Sequence, residues 1–542
     1  MAIADPYSRS ASEFKEPPRG FRKTLRHLGP GMILAGSVVG SGELIITTKL
    51  GALAGFGLLW FVLLSCLVKM VVQAELARYT IASGQTFLRI FNDLPGPRGR
   101  RPAWLTLPWM AWFMVACVVA LATFMNLGAE ARTPGAACGL GAGVIAVSFA
   151  GASFTGVLRR RRPSLMSESQ ARPTMNWFTW LWLGTKLLVF VNSAAILGGT
   201  GQVLEMVFPG LLGEGGARYW SILLALVCGA LLIVGTYASL EKILVTLVSS
   251  FTLVTVVCTG MLHRTDFAVG WSDLASGLSL GLPPEMTTTL VLTALAMYSG
   301  TGVSFGEMWN YTYWCVEKGY ARSVGEPEPG PAWARRARGW IRVMYTDAAV
   351  TMAVYTASTI CFYILGAAIL NVQGLDPDGR ETLSVLSSIF TDGLGPQAAG
   401  LFMVGAFFVL VSTVLSGAAG ASRMLADVMG LIGLIDASDY SVRLRYIRIF
   451  VVVALAFYCI AYWLFENPPQ MLLVTSSLIA AVMYPVLGLG TLYLRHRKVD
   501  ARITPSRPTT AWLWVCGLIL TVVSPTGILL AIAIGAGWIG FG

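Results

Sequence analysis

The sequence predicts an all-α polytopic membrane protein, and three observations carry that prediction. Of 542 residues, 55% are hydrophobic and only 12% charged, and the mean hydropathy is +0.67. Apolar runs of about 20 residues, the length a helix needs to cross a bilayer, recur from Gly31 to Gly542. The basic residues fall in short clusters between those runs, so the net charge of +11 reflects membrane topology and no nucleic-acid partner is expected.

The elements follow in order. The leader "MAIADPYSRSASEFKEPPRGFRKTLRH" has no apolar h-region and no small-residue cleavage site. Residues 1–30 therefore read as a cytoplasmic tail, and the first span as its own insertion signal. About thirteen spans are expected by length and hydropathy. Spans 31–54 and 57–79 run to the basic connection "PGPRGRRP", and 104–127 and 137–157 to "RRRRPSLMSESQARP". Spans 177–199, 219–237 and 240–262 end at "HRTDFAVGWSD", which is not basic. The run 285–316 leads into "EKGYARSVGEPEPGPAWARRARGWIR" and 346–371 into "DPDGRETL". Span 396–418, which 419–435 could extend into the cytoplasm, precedes "VRLRYIR". Spans 447–465 and 470–494 run to "RHRKVDARITPSR", and 511–541 is the last. Placing every basic connection in the cytoplasm satisfies all of them, with the N-terminus inside and the C-terminus outside. The absence of targeting signals fits the cell (cytoplasmic) membrane of a bacterium.

The nine cysteines lie in or at the ends of spans, with no CxxC spacing, and read as small buried apolar residues. No His/Cys/carboxylate cluster has catalytic or zinc spacing, so neither an enzyme nor a cofactor is expected.

Two spans are interrupted in the same way. "VGSGE" occupies Val39–Glu43 and "VSFGE" Val303–Glu307. Gly40 and Gly42 in one, and Gly300, Gly302 and Gly306 in the other, lie where a helix would unwind. Each Gly costs about 1 kcal/mol of helix relative to Ala. Each mid-span Glu adds roughly 2.5–3.5 kcal/mol, by analogy with the figure for Asp. Unwound backbone in hydrocarbon needs protein or a polar cavity to satisfy it. Paired discontinuous helices are what secondary transporters with inverted repeats use to bind solute near the midplane. The plainer alternative is close helix packing at small residues, with the carboxylates paired to lysines.

Residues 28–87, "LGPGMILAGSVVGSGELIITTKLGALAGFGLLWFVLLSCLVKMVVQAELARYTIASGQTF", resemble the opening two helices of the Nramp metal-ion transporters. The matching features are Gly29-Pro30-Gly31, Gly55-Phe56-Gly57-Leu58-Leu59-Trp60, Leu63-Leu64-Ser65 and Gln73. "YASLEKILVTLVSSFTLV" from Tyr237, "TDAAVTMAVYTASTI" with Asp347, and "LVSTVLSGAAGASRMLADVMGLIGLI" from Leu410 follow in the family's order. The resemblance implies a five-plus-five inverted-repeat fold with discontinuous first and sixth core helices, working by alternating access on divalent metals with protons. It divides the chain into a first repeat, 31–262, a second repeat, 285–494, and an extra span, 511–541. Spans 104–127 and 137–157 have no counterpart in that pattern and read as an inserted hairpin at 104–157, which preserves the topology.

The chain also departs from the family. Gly40-Ser41-Gly42-Glu43 stands where the family has Asp-Pro-Gly-Asn, and "SFGEMWNYTYW" near its Met-Pro-His has neither Pro nor His. The three histidines, His27, His263 and His496, lie in loops or at span ends, so no histidine relay crosses the membrane. On the third core helix, where the family carries acidic residues, this chain has Lys186 and Asn192. A mid-span lysine needs a carboxylate partner or must snorkel to the surface, an alternative open to Lys49 and Lys69 as well.

The candidate substrate ligands are Gly40, Ser41, Gly42 and Glu43 on the first break, with Thr301, Ser304, Gly306, Glu307, Met308 and Trp309 on the second. Two carboxylates with hydroxyls and free carbonyls suit a hard divalent cation, Mg or Mn, with Glu43, Glu307 and Met308 as metal ligands. Glu43, Glu307, Asp347 and Lys186 are the candidates for proton coupling. The aromatics Trp309, Tyr311, Tyr313 and Trp314 leave open a polar organic solute such as a sugar or amine. A non-transporting membrane sensor is the reading from another class. A tight cage between the breaks would argue for an ion, and a larger cavity for an organic solute.

Overall fold

The computed structural model describes residues 5–9, 14–40, 42–127, 134–160, 173–190, 192–283, 285–377, 385, 396–464 and 476–535. Among these, ten helices are long and apolar enough to cross a membrane, or eleven when the bent pair Pro30–Val38 and Gly42–Ala54 is taken as one span. The expected span 137–157 falls on helix Pro134–Arg160, and 177–199 is two consecutive helices, Trp177–Val189 and Asn192–Val207. The expected spans 470–494 and 511–541 lie partly outside the described residues.

Burial sorts the helices into an inner and an outer set. In Thr288–Glu317, Pro331–Gln373 and Met403–Leu431, 67% of the apolar window is buried, against 22% in Gly216–Val234 and 28% in Arg507–Ile534. These three, together with the bent pair Pro30–Val38 and Gly42–Ala54 and the helix Leu59–Ser83, carry the two interruptions and most of the buried polar residues, whereas the outer helices show leucine and valine outward, as lipid-facing helices do.

Local chemistry sets the helix ends. Pro30 begins its helix at a position where a missing N–H costs nothing. Leu59–Ser83 stops at Gly84 in the left-handed conformation, φ 72°. Thr236 and Ser239 cap Tyr237–Met261 reciprocally, each hydroxyl accepting from the other's amide. The stretch expected as a long cytoplasmic loop before 346 is instead largely helix, because Pro331–Leu365 begins fifteen residues early on the Ala- and Arg-rich segment "PAWARRARGW". Helix Pro396–Leu431 continues unbroken into the region expected as a possible extension and ends within it.

One feature is not helical. Strands Arg98–Arg100 and Thr174–Asn176 pair antiparallel, with Gly99 opposite Met175. They bring together the chain before helix Leu107–Asn126 and after Pro134–Arg160. The chain thus enters and leaves this pair of helices at one point.

Candidate functional site

The two interruptions meet in the interior. The first bends its helix by 45° and continues as a π-helical turn, Gly42–Thr47. The second separates Thr288–Gly300 from Phe305–Glu317, with Gly302 at φ 60°. Their backbones approach closely enough that a Cβ on Gly42 would collide with the carbonyl oxygen of Gly300. Glycine at 42 is therefore a packing requirement between the breaks.

Each break leaves polar backbone unpaired, and two charged side chains satisfy it. The Glu43 carboxylate accepts from Gly302 N at 2.7 Å across the gap and from Gly40 N at 3.1 Å on its own strand of chain. Lys69, fully buried on the second helix, donates to the carbonyls of Tyr298, at 2.7 Å, and Thr301. The Tyr484 hydroxyl donates to Ser299 O at 2.8 Å. A lysine at the carbonyl end of a half-helix also complements the dipole of that end. Any one of these groups left buried and unpaired would cost about 1–3 kcal/mol.

Beside this clamp lies a cavity of about 110 Å³ between the breaks and helices 177–207, 396–431 and the segment from 476. Gly42, Ser304, Gly306, Glu307 and Lys186 line it. Glu307 Oε1 accepts from Ser37 Oγ at 2.8 Å, but Glu307 Oε2 is buried without a protein partner, as are Asn310 Oδ1 and Ser299 Oγ. All three belong to lining residues. Buried oxygens without partners are rare, and the cavity that these three residues line is large enough for an ion or a few waters.

The remaining expected residues lie elsewhere. Ser41 is outside the described residues. Gly40, Glu43 and Thr301 belong to the break itself and not to the cavity wall. The Thr301 hydroxyl donates back to Met297 O at 2.7 Å. Met308 and Trp309 are fully buried away from the cavity. Trp309 stacks on Phe87 at 4.9 Å and meets the edge of Phe305 at 4.6 Å. Asp347 caps the start of the first broken helix, accepting from Gly29 N at 3.0 Å, Gly31 N at 2.6 Å and the Tyr311 hydroxyl at 2.9 Å. Lys49 reaches Asp376 at 3.1 Å. No group of three or more His, Cys, Asp or Glu able to hold a metal is present among the described residues.

Sequence reasoning missed Ser37, Asn310 and Thr413 as lining residues. The signal was available, since each is a polar side chain within an apolar helix. The job of Lys69 was not visible, because its partners are backbone carbonyls more than two hundred residues away.

Comparison with known proteins adds to this geometry. A family model described as natural resistance-associated macrophage protein-like (Nramp) matches residues 161–530. A divalent metal cation transporter MntH from Deinococcus radiodurans is 33% identical over 112 residues, 20% of this chain and 24% of that protein. The metal transporter Nramp2 of Populus trichocarpa is 29% identical over 91 residues, 17% of each. The chain thus aligns with about a quarter or less of the length of these curated relatives. A crystal structure of the Eremococcus coleocola manganese transporter superposes with a TM-score of 0.55 at 13% identity, covering 98% of this chain and 92% of that one. The fold is accordingly an all-α, inverted-repeat transporter fold of a multi-pass membrane protein.

Proposed function

This chain belongs to the Nramp family, and from that premise we propose that it is a secondary active transporter moving a hard divalent cation, Mg or Mn, by alternating access. One observation carries the choice of substrate. The space between the breaks is about 110 Å³ and is lined by Glu307, Asn310 and Ser299, each of which carries a buried oxygen without a protein partner. Organic-ligand pockets usually measure roughly 300–1,000 Å³, so the size favours an ion with a few waters over a sugar or amine. Oxygen donors of this kind suit Mg or Mn better than softer metals.

The division of labour is then as follows. Glu307 is the anionic ligand, with Asn310, Ser37 and Ser304 completing an oxygen shell. Glu43 and Lys69 hold the two breaks in register so that the shell keeps its shape. Of the candidates for proton coupling, Glu43, Glu307, Asp347 and Lys186, only Glu307 and Lys186 line the cavity. A cation beside Glu307 and a proton on either group affect one another's binding reciprocally. The core helices rock or gate around this site. The two repeats comprise residues 31–262, with the hairpin inserted at 104–157, and 285–494. The chain is read as lying in the cell membrane, N-terminus cytoplasmic and C-terminus outside, with no enzymatic step.

The test is uptake into proteoliposomes of the purified protein, with Mn, Mg and Ca beside a sugar and an amine panel, with and without a pH gradient. Mn or Mg uptake is expected. Lys186→Gln, which removes a positive charge from the cavity, is expected to lower KM for the cation and flatten its pH dependence. Movement of an organic solute with no metal uptake would overturn the proposal.

A further inference from the structure

We propose that the face carrying the N-terminal tail holds a binding site for the phosphodiester headgroup of an anionic phospholipid. A cavity of about 700 Å³ lies between tail residues Glu16–Phe21 and the first turns of helix Pro331–Leu365. Arg335, Arg338 and Arg342 line it from the helix, where their spacing puts them on one face. Arg19 lines it from the tail, and Glu16 is the one carboxylate in the lining. The nearby Arg336 and Arg502 have carboxylate partners, Glu328 and Asp500. Among the described residues the four lining arginines have none. Arginine forks in such a cluster match the oxygens of a phosphate bidentately.

The tail wall is built in. Lys15 N donates to Ser323 O at 2.9 Å, the Trp340 indole donates to Lys15 O at 2.9 Å, and the Arg336 guanidinium lies 4.2 Å from the Phe14 ring centroid. The short helix Phe21–Leu25 at the cavity's edge buries no residue, and it exposes Phe21 by 67% and Leu25 by 41%. Exposed apolar side chains interleaved with Arg22 and Lys23 are the composition of a segment resting among headgroups. Basic pockets of this kind beside membrane helices bind anionic lipid headgroups. The inference concerns the membrane surface and is independent of the transported solute.

The experiment is native mass spectrometry of the purified, delipidated protein with an equimolar mixture of phosphatidylglycerol and phosphatidylcholine, together with thermal unfolding. Retention of phosphatidylglycerol over phosphatidylcholine by about tenfold or more is expected. That preference should be lost in R335Q/R338Q/R342Q and kept in R445Q/R448Q, which removes two exposed arginines elsewhere. Should the triple variant fail to fold, Arg335→Gln and Phe21→Ser singly are each expected to weaken the preference. If inorganic phosphate or glycerol 3-phosphate raises the unfolding temperature while no phosphatidylglycerol is retained, the site takes a soluble phosphate and the lipid assignment is wrong. Undiminished preference in the arginine variants overturns the site altogether.

Discussion

The two glutamates that look alike in sequence make different contacts. Glu43 follows its break directly and turns back to bind amides of both breaks. Glu307 lies one residue further into a restarted helix, accepts from Ser37 through one oxygen, and keeps the other buried without a protein partner beside the cavity that the residue lines. Glu43→Gln should therefore act on stability, because an amide NH2 group would face a backbone N–H that now meets a carboxylate oxygen. The expected loss is about 1–3 kcal/mol, read as a lower unfolding temperature. Glu307→Gln should leave unfolding nearly unchanged and reduce cation uptake by about tenfold or more, since a charged ligand is replaced by a neutral one. Lys69→Met is predicted to resemble the first and not the second, because two carbonyls lose their donor and the cavity wall is untouched. Equal effects of all three on unfolding temperature would disprove this separation. The pair of carboxylates was legible in the sequence from the echo of "VGSGE" in "VSFGE". Their roles were not, since they depend on which backbone groups the opposite break leaves free.

At the scale of elements, helix content and most span positions were legible because hydropathy and the basic connections agree. What escaped were features made by contacts across the chain. The loop expected before residue 346 is helix, where Pro331 and the Ala/Arg-rich segment extend the span by several turns. The strands Arg98–Arg100 and Thr174–Asn176, on either side of helices Leu107–Asn126 and Pro134–Arg160, are paired, which no periodicity in three residues could announce. Strand partners in an antiparallel ladder lie about 5 Å apart, so a two-residue Asn-Gly turn can join them. Excising 101–173 and joining Arg100 to Thr174 through such a turn should leave a folded protein with its break geometry intact. The measurement is size-exclusion behaviour and thermal unfolding of the shortened chain. Aggregation of the excised protein would show that the inserted helices are part of the bundle's stability and not an appendage.

At the scale of the whole molecule, the proposed orientation rests on the distribution of charge, and it can be tested against residues whose exposure is known. The segment after helix Tyr237–Met261 contains no basic cluster and displays Trp271 at 86% exposure. The connection before helix Arg507–Gly535 is rich in arginine and lysine, and Ser506 is exposed there. Positive charge is retained on the cytoplasmic side of the membrane, so these two segments should lie on opposite faces. A cysteine in place of Trp271 is expected to react with a membrane-impermeant thiol reagent on intact cells. A cysteine in place of Ser506 should react only after permeabilisation. The native cysteines that are described are buried or half-buried, which keeps the background low. The same experiment bears on the lipid site, because Ser506 and the arginines of helix Pro331–Leu365 lie on one face, joined through Arg502, whose guanidinium donates to the carbonyls of Glu328, at 2.9 Å, and Gly330, at 3.0 Å. Labelling of Ser506→Cys from outside would invert the molecule, and with it the leaflet from which the headgroup would come, while leaving the cavity between the breaks at the same depth.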